Sequence, residues 1–268
     1  MLQSSRSSLA LTLQDLDTAL GQGSGAALAD GLLGMVSVLA DNTQLRRAMA
    51  DSAIEAERKR GVLTSLFADS VDERALDIAL AAAARHWARA QDYVTALEVA
   101  GVTAVAAEAQ TAGRLGQVEE ELFRFSRLLE SDHELGWAFE SAAPAESKRA
   151  LVADLLGSKA STDTVRLASQ AAAHPRGLRV SETLDTYSEV LAARQQRSVA
   201  EVTVAQPLSP EQQDRLTAAL SASYGRELVL NVHVDPEVVG GVRVQVGDEV
   251  MNSTISDRLA DARRRLAG

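Results

Sequence analysis

The sequence contains no cysteine, five prolines and, at 3% of residues, very few aromatic side chains. Without cysteine there can be no disulfide, no thiolate metal site and no thiol nucleophile. With so few aromatics, packing must rest on alanine, leucine and valine, which lets helices approach closely but supplies few large anchors. No apolar run approaches the roughly 18 residues that a membrane-spanning helix requires. The opening MLQSSRSSLALTLQDLD is interrupted by polar residues too early for a secretory h-region. A cytoplasmic protein without its own membrane span is the expectation. Positive charge is also scarce: the net charge of −10 is spread along the chain, so phosphate backbones are repelled and nucleic acid is not an expected partner.

What is present is a chain of 268 residues, 46% hydrophobic and 24% charged, with room for two or three globular domains. Leu9, Leu13, Leu16 and Leu20 mark one face of a first helix, which the glycine-rich stretch 21–25 ends. That glycine cluster lacks both a preceding strand and a Lys-Ser/Thr pair, so it reads as a linker and not as a phosphate loop. Helices are predicted over about 26–40, 43–50, 55–68 and 71–85, followed by an alanine-rich helical stretch from about Asp92 towards Ala112 with Gly101 as its possible interruption.

A repeat follows. SAIEAERKRGVLTSLF at 52–67 aligns with SAAPAESKRALVADLL at 141–156: Glu57, Lys59, Arg60 and Leu66 pair with Glu146, Lys148, Arg149 and Leu155. With a one-residue gap, Leu45 and Met49 pair with Leu135 and Phe139. The reading is a duplicated helical domain, the alternative being chance similarity of two helices rich in Ala, Glu and Lys. The second copy is predicted as helices over 105–112, 117–131, 134–141, 145–157, 163–173 and 178–197, with His174-Pro175-Arg176-Gly177 as a stop before the last.

Beyond Arg197 the period changes from helical to two. Ala200, Val202 and Val204 alternate as a strand ending at Pro207, and Ser209-Pro210-Glu211-Gln212 has the form of a capping box opening a helix. Leu228 to Val234 and Val242 to Val246 alternate again, Gly247-Asp248 is a tight turn, and Glu249 to Met251 returns as a short strand. A final helix is expected after Asn252 or Ser253, with Ile255, Leu259, Ala262 and Leu266 on one side. The fold class is therefore mostly α, two duplicated helical bundles followed by a small mixed sheet with packed helices. The expected domains are 1–104, 105–197 and 198–268.

Catalytic constellations do not emerge. His86, His133, His174 and His233 are scattered, without metal-ligand spacing, and there is no GxSxG elbow. No cofactor, metal or catalytic residue is expected. What remains are surfaces: the small residues Ala106, Ala107, Ala109 and Ala112, and Val165, Ala168 and Ala171 further on, either form shallow grooves for another helix or permit tight packing inside the bundle.

The tail GGVRVQVGDEVMNSTISDRLADARRRLAG resembles the C-terminal signature of the delta subunit of F-type ATP synthases, the counterpart of the oligomycin-sensitivity-conferring protein. Gly240, Gly241, Gly247, Asp248, Val250, Ser253, Arg258 and Leu259 carry the likeness, while Asn252 stands where an aspartate is usual. Residues 105–200 resemble the family's six-helix N-terminal domain, and the additional front segment resembles the extended delta subunits of actinobacteria. The resemblance implies a stator without chemistry of its own, one copy per complex, peripheral on the cytoplasmic face of the plasma membrane. Its helical bundle would grip the N-terminal helix of an alpha subunit through its first and fifth helices, and its C-terminal domain would hold the ends of the b subunits. On this chain that places the groove at Val105, Ala106, Ala109, Val165, Ala168 and Ala171. The alternative is a free helical adaptor that binds partner helices.

Overall fold

The computed structural model describes residues 2–197, 199–224, 228–235, 242–246 and 249–252. Two compact units divide it, Met1–Ala192 and Ala193–Gly268. The first is all helical: α1 (Gln3–Leu20), α2 (Gly25–Asp41), α3 (Thr43–Ala50), α4 (Ala56–Phe67), α5 (Glu73–Ala83), α6 (Ala90–Thr111), α7 (Leu115–Ser131), α8 (His133–Glu140), α9 (Ala145–Leu156), α10 (Thr162–Ala173) and α11 (Val180–Arg197). The unit boundary falls inside α11, and the anticipated boundary at 104/105 falls inside α6.

Helix lengths repeat along the chain. α2 and α7 both have 17 residues, α3 and α8 have 8, α4 and α9 have 12, and α5 and α10 have 11 and 12. Aligning Gly25 with Leu115 brings Leu28, Leu32, Met35, Val36 and Leu39 onto Val118, Leu122, Phe125, Ser126 and Leu129, every one of them buried. Caps recur as well: Asn42 accepts from the Leu45 N–H, and Asp132 accepts from the Glu134 and Leu135 N–H groups. Lys59 and Lys148 are both buried, and Lys59 Nζ donates to the Ala83 carbonyl at the C-terminal end of α5 (2.8 Å). Burial holds the Lys59 ammonium below its ordinary pKa.

Each bundle has six helices, yet eleven are present because α6 is the sixth helix of one repeat and the first of the next. In its first role Val94, Leu97 and Gly101 stand where α11 has Leu184, Tyr187 and Leu191; in its second, Val102, Ala106 and Ala109 stand where α1 has Thr12, Leu16 and Ala19. The side chains at all these positions other than Gly101 are buried, so α6 is apolar on every side, as a helix enclosed within a core must be. It runs without interruption through Gly101, whose missing Cβ leaves space already taken by Leu33 Cδ2, 2.7 Å from where that atom would lie. One continuous hydrophobic core includes residues from both repeats.

The second unit contains β1 (Val199–Val204), α12 (Pro210–Tyr224), β2 (Val229–Val234), β3 (Val242–Val246) and β4 (Glu249–Asn252). The sheet order is β2-β1-β3-β4, with β1 parallel to β2 and antiparallel to β3. A parallel pair requires a crossover, which α12 provides. Its capping box is formed in both directions: the Gln212 N–H donates to Ser209 Oγ (3.3 Å) and the Ser209 N–H to Gln212 Oε1 (2.8 Å). Ala200, Val202, Val204, Val244, Val246 and Leu220 of α12 make the small core. The expected turn at Gly247-Asp248 and the helix after Ser253 lie outside the described residues. Asn252, considered above as a helix cap, pairs with Arg243 at the end of β4.

Candidate functional site

The six residues expected to line a partner groove do not face outward together. Val105, Ala106 and Ala109 on α6, and Ala168 and Ala171 on α10, are wholly enclosed in the core, while Val165 is half-buried. The open-groove expectation is therefore corrected: these small residues serve close packing, the other reading the sequence allowed. The physical reason is first the bundle's own core, since the matching first-repeat residues Leu16, Ala19, Ala79 and Ala82 are buried as well; in addition α2 lies along both helices. The Gly25 N–H donates to Glu108 Oε2 (3.0 Å) and Leu33 rests on Gly101, so α2 runs antiparallel to α6. Against α10 it runs parallel, with Asp30 paired to Arg166 (3.1 Å), Ser37 Oγ meeting Gln170 Oε1 (3.5 Å) and Asp41 beside His174 (3.6 Å).

The corresponding helices of the first repeat are α1 and α5, and α2 packs on α5 as well, with Ala75 Cβ 2.8 Å from where a Cβ of Gly31 would lie. Arg85 joins them, reaching Asp15 (2.5 Å) and Thr12 (2.8 Å), and Arg74 donates to the Ala19 carbonyl (3.2 Å). Hydrogen bonds from Arg74 hold the Asp72 carboxyl below its usual range. Leu11, on the position matching Gly101, is 48% exposed.

In both repeats the first helix also ties down the loop before the sixth. Ser8 Oγ donates to the His86 carbonyl (2.7 Å), and Ser5 Oγ accepts from the Ala88 N–H (3.0 Å) while donating to Asp92 (2.7 Å). At the matching positions Thr95 and Glu98 hold Arg176: its guanidinium donates to Thr95 Oγ1 (2.9 Å) and forms an ion pair with Glu98. The Tyr187 hydroxyl donates to the other Glu98 oxygen (2.7 Å). Arg176 has a positive φ of 52°, a conformation worth retaining where the ion pair fixes it. Burial raises the Tyr187 hydroxyl and lowers the Arg176 guanidinium from their ordinary pKa values. Glu98 was not singled out from sequence, although an acid in the middle of an alanine-rich helix is a signal: enclosed, it must find a cation or donor.

Elsewhere the ionisable groups remain local. Burial, reinforced by Arg149, lowers the His174 pKa, with Asp41 opposing. His233 and Asn231 both bond Glu201 on the sheet (2.8 and 3.0 Å), and these contacts, that from Asn231 foremost, lower the Glu201 carboxyl. Among the described residues no group of three or more His, Cys, Asp or Glu converges as a metal site would require. No described helix is long and apolar enough to cross a membrane. Of the tail signature, Val250 lies on β4 opposite Gln245; Gly240, Gly241, Gly247, Asp248, Ser253, Arg258 and Leu259 lie outside the described residues.

Comparison with known proteins places this architecture. A family model described as ATP synthase delta (OSCP) subunit matches residues 102–266, beginning within α6 and spanning the second repeat and the sheet unit. Relatives extend the match over the first repeat. ATP synthase subunit delta of Streptomyces coelicolor is 42% identical over 266 residues, 98% of this chain and 97% of that one. Its counterpart from Thermobifida fusca is 40% identical over 265 residues, 98% of each chain. That from Streptomyces griseus is 40% identical over 271 residues, the whole of both.

Proposed function

The chain belongs to the ATP synthase delta (OSCP) subunit family, and on that premise we propose that it is a non-catalytic stator element linking the alpha subunits of the catalytic head to the b subunits. Held in this way, the head does not turn with the rotor. It would sit at the cytoplasmic face of the membrane as a peripheral part of the complex, and the sheet unit would hold the ends of b.

The observation that supports this reading best is the continuity of α6 through two bundles with one core. A tether under load needs a body that does not shear, and a 22-residue helix built into both bundles provides one. Two attachments of moderate strength combine into a durable link through effective concentration.

We place the family's first-and-fifth-helix contact at a different position on this chain than the sequence suggested. With α2 lying over α6 and α10, the alpha-subunit helix is assigned to α1 and α5 of the first repeat, where Leu11 is exposed. A synthetic peptide of the alpha N-terminus should bind the full chain in calorimetry, and Leu11→Arg should weaken that binding at least tenfold while Val165→Arg leaves it unchanged. The reverse pattern would return the helix to the second repeat. Absence of binding at high micromolar peptide would refute the alpha contact.

A further inference from the structure

α2 holds its neighbours in two different ways. Its middle packs on α6 through apolar contact, Leu33 filling the space at Gly101. Against α10 the contact is polar: Arg166, Gln170 and His174, spaced i, i+4 and i+8 along one face of α10, meet Asp30, Ser37 and Asp41. Two donors in that strip, Arg166 Nη1 and Gln170 Nε2, are buried and find no hydrogen-bond partner among the described residues. An incompletely satisfied polar strip is the weaker of the two attachments.

His174 closes the strip. It stands at the C-terminal end of α10, almost wholly enclosed, and its Nε2 lies 3.1 Å from Arg149 Nη2 of α9. A guanidinium offers only donors, so Nε2 accepts, and the ring proton sits on Nδ1, 3.6 Å from Asp41 Oδ1. The same Arg149 Nη2 reaches Ser37 Oγ of α2 (3.4 Å). One neutral imidazole thereby orders a guanidinium that touches α2. The charges acting on His174 are Arg149 and, opposing it, the exposed Asp41. Of the other charged groups nearby, Glu146 lies exposed 3.6 Å from Arg149 and Lys148 is buried on α9. Arg166 is paired with Asp30 and Arg176 with Glu98, and Arg46 of α3 is turned onto the carbonyls of Leu39 and Ala40.

The first repeat shows what a cation at this position needs. Arg85 matches His174, and Asp15 and Thr12 of α1 receive its guanidinium. On α6 the positions of Asp15 and Thr12 are taken by Val105 and Val102, both fully enclosed. A charged His174 therefore has no carboxylate or hydroxyl behind it, only Asp41 at the surface, where water screens the attraction. A proton on Nε2 also turns the acceptor of the Arg149 bond into a donor facing a donor. We propose that His174 is a proton-operated clasp: on taking up a proton from solvent it releases Arg149, and the end of α2 around Ser37 to Asp41 parts from α9 and α10 while Leu33 stays on α6. The event is a local opening of the seam between the repeats, with both bundles and their shared helix intact. It rests on the bundle geometry and not on the stator reading.

Hydrogen-deuterium exchange of the full chain at pH 7.5 and 5.5, corrected for the intrinsic pH dependence of amide exchange, reads the opening. Amides over 37–42 and 170–174 should exchange about tenfold faster at the lower pH, while those over 94–106 in α6 keep their protection. His174→Gln, which still offers Arg149 an acceptor but takes up no proton, should remove the response, and Arg149→Gln should weaken it because the repelled group is gone. In the wild type, the His174 ring followed by NMR should titrate together with the exchange change, which tests the clasp even if a variant fails to fold. Absence of a pH response in the wild type would overturn the clasp, as would equal acceleration over α6, which marks global unfolding. A full response in His174→Gln or in Arg149→Gln, or a ring that titrates apart from the exchange change, would overturn it as well.

Discussion

α2 and α7 are matching helices of the two repeats with the same buried stripe, and they differ in what lies on their remaining faces. α2 is enclosed further, at Ala29, Gly31 and Leu33, by α6 and neighbouring helices, whereas α7 has Glu119, Glu121 and Phe123 at those positions, with Phe123 49% exposed. The difference shows how a duplicated bundle becomes one body. The shared six-helix pattern sets each internal core, and substitutions at a few outward positions decide whether a face meets the neighbouring repeat or water.

The largest effect should come from breaking that seam. Ala109→Arg places a charge inside α6 where the residue is fully enclosed, and should cost more than about 4 kcal/mol in urea unfolding. Ala19→Arg, the matching change on α1, should cost clearly less because Ala19 retains some exposure. Equal costs would mean that α1 is as enclosed as α6. Next, Glu98→Ala strands the buried Arg176 and should cost about 3–5 kcal/mol. Ser8→Ala, its partner in the comparison, removes one hydrogen bond and should cost about 1 kcal/mol.

A smaller difference is readable in pH. His174 is held neutral in the fold, so the unfolded chain takes up a proton first as pH falls below the ordinary histidine value of about 6.5. Its stability contribution is thus fully present above that value and declines below it. The matching position in the first repeat is Arg85, which is paired with Asp15. The melting temperature should therefore fall between pH 7.5 and 5.5, and His174→Gln should reduce that fall; an unchanged slope would remove His174 from the account. The smallest effects are the reciprocal exchanges at the matching positions Gly34 of α2 and Arg124 of α7. Gly34→Arg should gain about 0.5–1 kcal/mol and Arg124→Gly should lose a similar amount.

Much of this fold was legible because local rules decide it. The predicted helices at 26–40, 43–50 and 55–68 lie within two residues of α2, α3 and α4 at each end, since caps and apolar spacing mark them. The Ser209–Gln212 box and the alternation in β1 and β3 are equally local. The surfaces were harder. A row of alanines reads the same whether it lines a groove for a foreign helix or packs inside its own bundle, so burial of Ala106 and Ala168 could not be read from spacing. The role of Leu33 depends on Gly101, far away in sequence.

The overlap at α6 has a mechanical consequence. Where two domains are joined by a linker or a side-chain seam, strain collects at the joint, which is softer than the bodies it connects. Here the joint is the interior of one helix, about 33 Å long at 1.5 Å per residue over 22 residues. A force applied to one bundle passes to the other along a hydrogen-bonded backbone, so stretching the pair requires unwinding a buried helix rather than sliding one surface over another. The same overlap dictates how the chain can be shortened: a cut at residue 89 leaves the second bundle its first helix, whereas a cut at 104 removes about two thirds of it.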